Sequence, residues 1–156
     1  MSEYDGQLRS TGRVAIIVSR YNEVVTGKLL AGARECCRQA ALPDDQVDVV
    51  WVPGAFELGV AALAAARSGR YAALVVLGAV IRGETPHFDI VAGETSRQLG
   101  SVVIETGVPI GFGLLTTEDL DQALARAGGA AGNKGQEACE AALRAADVVR
   151  QLREAR

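Results

Sequence analysis

The chain has 156 residues, 49% of them apolar and 22% charged, which fits one globular domain with a hydrophobic core. The formal net charge of -3, without a basic patch, argues against a nucleic-acid partner. The longest apolar stretch, residues 71–81, is too short to cross a bilayer, and the polar N-terminus lacks the apolar segment of a secretory signal. We therefore expect a cytoplasmic protein without membrane or nucleic-acid partners.

The three cysteines suggest neither a disulfide nor a metal site. Cys36 and Cys37 are sequence neighbours and badly placed to bridge one another, and Cys139 stands alone. The sequence contains no C-x-x-C or zinc-like spacing. We therefore expect reduced thiols and no bound metal.

Secondary structure alternates regularly along the sequence. Four short β-branched or aliphatic runs predict strands, and the alanine-rich segments between them predict helices. The predicted strands are residues 14–18, 47–52, 72–77 and a run that follows Pro109 and ends near Leu115. The predicted helices are residues 26–40 with Thr26 as the cap, 55–68 closed by Gly69, about 88–105, 116–127 starting at Thr116-Thr117-Glu118-Asp119, and a last helix that follows the glycine-rich link 128–135 and ends near Arg153.

Strands that alternate with helices predict a parallel sheet covered on both faces. The third run is apolar throughout, as expected for a strand buried on both sides. We therefore predict one doubly wound α/β domain over residues 13–156, with a four-stranded parallel sheet that is small enough to favour partners along its edges. Residues 1–12 are predicted to form an extended N-terminal arm, and their polar composition by itself favours a flexible tail.

Unusual polar and aromatic residues gather where the predicted strands end. In open parallel sheets, ligands bind outside the carboxyl ends of the strands. Segments 19–22, 52–57, 78–87 and 116–118 follow the four strands and contain most of these residues. This distribution predicts a binding site at one edge of the sheet.

Segment 78–87 has features of an anion site. Gly83 permits unusual backbone angles and close approach of a ligand, and the N–H groups of Glu84 and Thr85 precede a predicted helix, whose start can bind phosphate. The carboxylate of Glu84 argues mildly against an anion unless it turns away. His87 is the only histidine of the chain. A lone histidine is usually structural or exposed, and at this position an acid–base role and a structural role are about equally expected.

The other candidate residues have simple structural explanations. Tyr21 can stack on a planar heterocycle or cover the edge of the sheet. Glu57 can accept hydrogen bonds from sugar-like hydroxyls, but a charge that favours the helix dipole is the simpler interpretation. Arg126, in the last turn of its predicted helix, satisfies the same dipole rule, and Lys134 and Glu137 are most simply solvated residues near a helix start.

Five motifs lie along the chain in a fixed order and spacing, from about Gly12 onwards. They are Arg20-Tyr21-Asn22, Val52-Pro53-Gly54-Ala55-Phe56-Glu57-Leu58, Leu77-Gly78-Ala79-Val80-Ile81-Arg82-Gly83-Glu84-Thr85-Pro86-His87-Phe88, Gly113-Leu114-Leu115-Thr116-Thr117-Glu118, and Arg126-Ala127-Gly128 through Gly132-Asn133-Lys134-Gly135. In this order and spacing the sequence resembles the lumazine synthase family. One such motif would be weak evidence, whereas five together are highly specific.

The resemblance implies a flavodoxin-like three-layer α/β/α fold and a condensing enzyme that needs no cofactor and no metal. Members of the family condense 5-amino-6-(D-ribitylamino)uracil with 3,4-dihydroxy-2-butanone 4-phosphate. The product is 6,7-dimethyl-8-ribityllumazine, and phosphate and water are released. The expected function is therefore this transferase reaction, the penultimate step of riboflavin biosynthesis, on two small-molecule substrates.

The resemblance also implies roles for individual residues. His87 would move protons during imine formation and phosphate departure. Glu84 and Thr85 would present N–H groups to the phosphate, and Arg126 would bind it from a neighbouring subunit. The expected contacts to ribitylaminouracil are Tyr21 by stacking, Ala55, Phe56 and Glu57 on the ribityl side, Ala79, Val80 and Ile81 along the ring, and Phe112 from the neighbouring subunit, with Lys134 and Glu137 as a supporting charged pair.

At two positions the sequence departs from the family pattern. Tyr21 stands where phenylalanine or tryptophan is more common; tyrosine still stacks, but its hydroxyl needs a partner or water. Gly59 replaces a usual proline and loosens the start of its helix. Neither change touches His87 or Arg126.

The unit of the family is a pentamer, often packed further into a hollow icosahedral shell. Longer insertions in the link 128–135 accompany pentamers that stop short of a shell. This chain carries the short form, so the resemblance favours the shell. Riboflavin synthase is a further partner that the resemblance suggests.

Two alternatives stay open from the sequence. The first is a flavin- or nucleotide-binding module on the same fold, which usually binds phosphate through several Ser, Thr or Gly residues after strand one. Here that loop is Ser19-Arg20-Tyr21-Asn22-Glu23, with bulky and charged groups. The second is a family member that has become a flavin binder or a structural shell without catalysis, which loss of His87 or Arg126 would signal; both are present.

Overall fold

A four-stranded sheet forms the centre of the computed structural model, which describes residues 1–155. The strands are β1 (Val14–Ser19), β2 (Val47–Val52), β3 (Ala73–Ile81) and β4 (Ile110–Thr117). Their order in the sheet is β2-β1-β3-β4, and all three pairings are parallel. The predicted flavodoxin-like fold with a four-stranded parallel sheet is confirmed.

Helices cover both faces of this sheet. They are α1 (Glu23–Gln39), α2 (Leu58–Arg67), α3 (His87–Thr106), α4 (Leu120–Ala125) and α5 (Lys134–Glu154). Side chains of a strand alternate between the two faces, so Ile16 packs in the cluster with α1 and α5, and Ile17 packs in the cluster with α2 and α3. Both isoleucines are fully buried. Among residues 1–155, no helix is both long and apolar enough to span a bilayer.

The two strands β3 and β4 extend further than predicted. They pair up to Ile81 and Thr117, beyond the predicted ends at Leu77 and Leu115. Hydrogen bonds to a neighbouring strand stabilise extended backbone even at Gly78 and Ala79, whose residue types are depleted in strands. Residues 79–81 therefore project from a strand, and not from the loop in which the sequence placed them.

Helix α1 begins three residues earlier than predicted, and Thr26 is not its cap. Asn22 precedes the helix in a left-handed conformation, with φ 64°. Thr26 lies buried inside the helix, where its hydroxyl donates a hydrogen bond of 2.7 Å to the carbonyl of Ser19. The threonine thus joins α1 to the last residue of β1.

Three other helices also have boundaries that differ from the prediction. Residues 55–57 form a 3-10 turn before α2, and α3 starts at His87, one residue earlier than predicted. Helix α4 is shorter than predicted at both ends, because Thr116 and Thr117 belong to β4 and the helix stops at Ala125. The cap of α4 is Asp119, whose carboxylate accepts a hydrogen bond of 2.8 Å from the N–H of Gln122.

The glycine-rich link contains a small antiparallel hairpin of β5 (Ala127–Gly129) and β6 (Gly132–Asn133). Asn133 caps α5, since its side-chain oxygen accepts from the N–H groups of Gly135 and Gln136. Its side-chain amide donates to the carbonyl of Lys28 in α1, at 3.1 Å. The hairpin is therefore fixed against α1, although its glycines carry no strand signal.

Helix α5 is approached very closely by its neighbours at two glycines. A Cβ atom on Gly135 would lie 2.0 Å from the carbonyl oxygen of Leu29 in α1. A Cβ atom on Gly111 of β4 would lie 2.0 Å from the carbonyl oxygen of Ala138 in α5. Both distances are far inside van der Waals contact, so the backbones can meet only where the side chain is a hydrogen atom.

Residues 1–12 form no helix or strand and run along α5. The N–H of Gln7 donates a hydrogen bond of 2.8 Å to the carboxylate of Asp147, and Arg144 donates one of 2.9 Å to the carbonyl of Gly6. The side chain of Asp147 is fully buried. The boundary between an arm and a domain at residue 12 stays a prediction.

All three cysteines lie in the interface of α1 and α5 and are free and buried. The sulfur atoms of Cys37 and Cys139 are 3.6 Å apart. Hydrogen bonding to Cys36 and Cys37, together with burial, raises the pKa of the Cys139 thiol.

Candidate active site

A cleft of about 720 Å³ opens at the carboxyl ends of β1, β2 and β3. Strand β1 lies between β2 and β3 in the sheet. The connection from β1 leads to β2 on one side, and the connection from β2 leads to β3 on the other side of β1. Open α/β sheets bind ligands at such a reversal of strand order, outside the carboxyl ends of the strands.

Nine of the predicted site residues line this one cleft. They come from the loop after β1, the turn after β2, the end of β3 and the start of α3. Glu84 is exposed in the same loop as Thr85 but is not part of the lining. The nine are Tyr21, Ala55, Phe56, Glu57, Ala79, Val80, Ile81, Thr85 and His87.

The backbone hydrogen bonds of the loop after β1 place Tyr21 at the mouth of the cleft. The N–H of Tyr21 donates to the carbonyl of Pro53 at 2.9 Å, so this loop is tied to the segment after β2. The side chain of Asn22 donates to the carbonyl of Ala79 at 3.0 Å, so it is also tied to β3. The tyrosine itself is 73% exposed, which leaves its ring free to stack on a planar group.

The turn after β2 brings a helix start and a carboxylate to the second wall. The N–H of Glu57 donates to the carbonyl of Gly54 at 3.2 Å, and Thr95 of α3 donates to the carbonyl of Ala55 at 3.3 Å. Ala55 is buried, Glu57 is half-buried and Phe56 is 51% exposed. This wall can offer N–H donors, a hydrogen-bond acceptor and an aromatic face to a polar ligand.

The loop between β3 and α3 forms the third wall. Thr85 and His87 are both exposed, and the N–H of His87 donates to the Thr85 hydroxyl at 3.4 Å. His87 is the first residue of a 20-residue helix, whose positive end suits an anion. Gly83 does not have a positive φ, so its backbone does not use the conformational freedom that glycine permits.

The remaining predicted residues lie elsewhere on the chain. Phe112, Arg126 and Lys134 line a separate cleft of about 280 Å³ along β4, which shares no residue with the first cleft. Phe112 is 52% exposed. Arg126 donates to the carbonyl of Gln122 at 3.2 Å, and Lys134 lies 3.4 Å from the carboxylate of Glu137. The candidate residues of one chain therefore form two groups.

Sequence reasoning gave no role to several residues that line the main cleft. Asn22 belongs to a quoted motif, but its bond to Ala79 depends on how two strands are placed in space. Ile90 and Val91 follow His87 by three and four residues, a spacing that puts them beside it on a helix. From this helical spacing, the sequence could have predicted that Ile90 and Val91 line the cleft beside His87.

A comparison with protein families agrees with this arrangement. The sequence model of the family described as 6,7-dimethyl-8-ribityllumazine synthase matches residues 11–150, which include both groups of candidate residues. This family implies an enzyme of the transferase type that makes lumazine in the riboflavin pathway, acts on small molecules and forms oligomers. The chain belongs to the 6,7-dimethyl-8-ribityllumazine synthase family.

Proposed function

We propose that the protein condenses 5-amino-6-(D-ribitylamino)uracil with 3,4-dihydroxy-2-butanone 4-phosphate to 6,7-dimethyl-8-ribityllumazine, and that it releases phosphate and water. One observation carries the proposal. Nine of the residues with an expected substrate contact line a single cleft, although they come from stretches that are far apart in the sequence. Its volume of about 720 Å³ is in the range of small-molecule sites.

The ribitylaminouracil occupies the part of the cleft between β1, β2 and β3. The exposed ring of Tyr21 stacks on the pyrimidine. The turn of Ala55, Phe56 and Glu57 holds the ribityl chain, since its donors and its carboxylate suit several hydroxyls. Ala79, Val80 and Ile81 line the heterocycle.

The phosphate-bearing substrate occupies the start of α3. The N–H groups of Glu84 and Thr85 bind its phosphate at the positive end of the helix. The amine of the pyrimidine attacks the ketone carbon, and one water leaves as the imine forms. Loss of a proton from the hydroxyl-bearing carbon then expels phosphate and gives an enol, which becomes a ketone by proton transfer. The ribitylamine nitrogen closes the ring by attack on this ketone, and a second water leaves. His87 stands next to the phosphate loop and moves protons in these steps. Holding two reactive substrates together supplies a further part of the rate.

Arg126 and Phe112 complete the site from a neighbouring subunit of a pentamer, and the Lys134–Glu137 pair supports Arg126. Two facts support this sharing: the two residues line another cleft of their own chain, and a ring of subunits always brings unlike surfaces together. We propose further that pentamers pack into an icosahedral shell. The three free thiols fit a cytoplasmic location.

The direct test mixes the purified oligomer with both substrates and follows lumazine absorbance and fluorescence together with phosphate release. We expect lumazine and phosphate to appear in equal amounts and much faster than in the same mixture without protein, because the two substrates also react on their own. Each substrate alone should give no lumazine. A rate equal to the protein-free mixture, combined with tight binding of riboflavin, would instead identify a flavin binder or structural shell.

A further inference from the structure

Arg82, the residue that directly follows β3, joins the ends of three elements. Its Nε lies 3.0 Å and 3.2 Å from the two carboxylate oxygens of Glu118, which directly follows β4. Its two terminal nitrogens lie 3.4 Å and 3.5 Å from the two carboxylate oxygens of Asp89, in the first turn of α3. The guanidinium thus bridges the end of β4 and the start of α3.

Two further contacts fix the position of this bridge. The guanidinium carbon of Arg82 lies 4.3 Å from the centre of the Phe88 ring, and Phe88 is buried in the core beneath α3. The N–H of Arg82 donates to the carbonyl of Thr117 at 2.9 Å. A planar group that both stacks and makes paired hydrogen bonds is a geometry that arginine can provide and lysine cannot.

These contacts close the loop 83–86 at both of its ends. Arg82 stands immediately before this loop, and its partners Phe88 and Asp89 stand immediately after His87. Inside the segment, Thr85 and His87 are exposed and are joined by one long hydrogen bond of 3.4 Å. The position of the segment therefore depends on the contacts at its ends.

The charges around Arg82 argue against a direct contact with phosphate. One guanidinium charge faces the two carboxylates of Glu118 and Asp89, whose hydrogen bonds raise the pKa of Arg82. Glu84 adds another carboxylate two residues away. The sum of these charges is negative, so the cation that binds a dianionic phosphate must be another residue. In the proposed site this residue is Arg126 of a neighbouring subunit.

We propose that Arg82 is a positioning residue, which holds segment 83–87 so that the N–H groups of Glu84 and Thr85 and the imidazole of His87 meet the phosphate-bearing substrate together. This inference rests on the proposed function of the cleft. Arg82 acts through its two carboxylate partners and through Phe88, and it does not bind the phosphate itself.

The first test compares Arg82→Lys with a matched control, Arg97→Lys. Arg97 also makes paired hydrogen bonds to a carboxylate, that of Glu94, but the two residues lie three apart within α3, so their pair joins no other element and does not touch the loop 83–86. We expect Arg82→Lys to raise the KM for the phosphate-bearing substrate, and to lower kcat, by roughly 10- to 100-fold, since small displacements of reacting groups cost that much. The KM for ribitylaminouracil should stay unchanged, and Arg97→Lys should change none of these values. Kinetics of Arg82→Lys that match those of Arg97→Lys would overturn the proposal.

The second test uses Glu118→Gln, which separates positioning from direct binding by the sign of its effect. If Arg82 positions the loop, the loss of its partner raises the KM for the phosphate-bearing substrate and weakens competition by inorganic phosphate. If Arg82 binds phosphate directly, the same change frees its charge for the phosphate. The KM for the phosphate-bearing substrate would then fall and competition by inorganic phosphate would become stronger, and this result would refute the proposal. This variant also serves if Arg82→Lys does not fold.

Hydrogen exchange separates a failure of this proposal from a failure of the proposed function. The hydrogen-bonded backbone amides at the two ends of the segment, those of Arg82, Asp89 and Ile90, should exchange faster in Arg82→Lys than in the native protein and in Arg97→Lys, whether or not lumazine is formed. Unchanged exchange at these amides would overturn the positioning role even in an active enzyme. A native protein that forms no lumazine would refute the proposed function alone.

Discussion

The side-chain amide of Asn22 donates a hydrogen bond of 3.0 Å to the main-chain carbonyl of Ala79, and this bond joins the loop after β1 to the end of β3. Asn22 also has a left-handed backbone conformation, with φ 64°, which asparagine adopts more easily than most residues. The same residue therefore sets the position of Tyr21 on one side and the start of α1 on the other.

Substitution of Asn22 should separate its two contributions. Asn22→Gly keeps the backbone conformation and loses only the hydrogen bond, so we expect a loss of about 1 kcal/mol in the free energy of unfolding. Asn22→Ala adds the strain of a left-handed alanine, for a total of about 2 kcal/mol. Both variants should raise the KM for ribitylaminouracil, because Tyr21 is released. Urea denaturation and steady-state kinetics measure these effects, and equal stability of the two variants would disprove the backbone contribution.

His87→Ala should lower kcat and still leave measurable activity. Proton transfer by a placed side chain contributes roughly 100- to 10,000-fold to a rate. The two substrates are intrinsically reactive and the cleft also works by proximity, so we expect a loss near the lower limit. Stopped-flow measurement of lumazine formation checks this value. Turnover equal to that of the native protein would remove His87 from the mechanism.

Stability should depend on pH through Asp147. The N–H of Gln7, with further hydrogen bonds from Arg150 and Gln151, lowers the pKa of this buried carboxyl from 3.8 to about 2. The folded state therefore gains stability above pH 3.8, and this gain is lost as the pH falls towards 2. Asp147→Asn should cost about 2 kcal/mol at neutral pH and flatten this part of the pH profile. Urea denaturation across this pH range measures how the free energy of unfolding depends on pH, and Asp121→Asn on the exposed side of α4 is the control. An equal pH dependence for the native protein and Asp147→Asn would contradict the assignment of this stabilisation to Asp147.

A site shared between subunits predicts that two defective variants complement each other. In a ring that mixes His87→Ala and Arg126→Ala subunits at random, about a quarter of the sites pair an intact His87 with an intact Arg126. The activity of the co-expressed mixture should then exceed that of either variant alone. If both residues served the same site from one chain, every site would carry one lesion and the mixture would recover nothing.

The assembly itself can be measured on the native protein. If the short link 128–135 permits a shell, electron microscopy and light scattering should show large hollow particles. A single species of the size of a pentamer, across a range of pH and phosphate concentrations, would contradict the shell and leave the proposed reaction untouched.

Most of the fold was predictable, because the apolar runs have the periods of strands and helices. The errors have two physical causes. Pairing with a neighbouring strand extends β3 to Ile81 and β4 to Thr117, and a single sequence does not show such pairing. The hydroxyl of Thr26 can cap a helix or bond to a carbonyl of β1, and the choice depends on where β1 ends.

The main cleft was also predictable in outline, since ligands bind where parallel strands end. The rule brought Tyr21, Glu57 and His87 to one edge before any family was considered, although it could not show that they share a cleft. The bridge made by Arg82 was not foreseen. Its partners Asp89 and Glu118 are 7 and 36 residues away along the chain, and no local pattern connects the more distant one.

The close approaches at Gly111 and Gly135 determine which positions of α5 can be substituted during evolution. They fix α5 along the sheet and against α1 through contacts between backbones, which do not depend on the identity of any other side chain. The outward-facing positions of α5 are thereby free to vary without shifting Lys134 at its first turn. New contact surfaces between copies could therefore evolve on this helix while the chemistry at the ends of the strands stays in place.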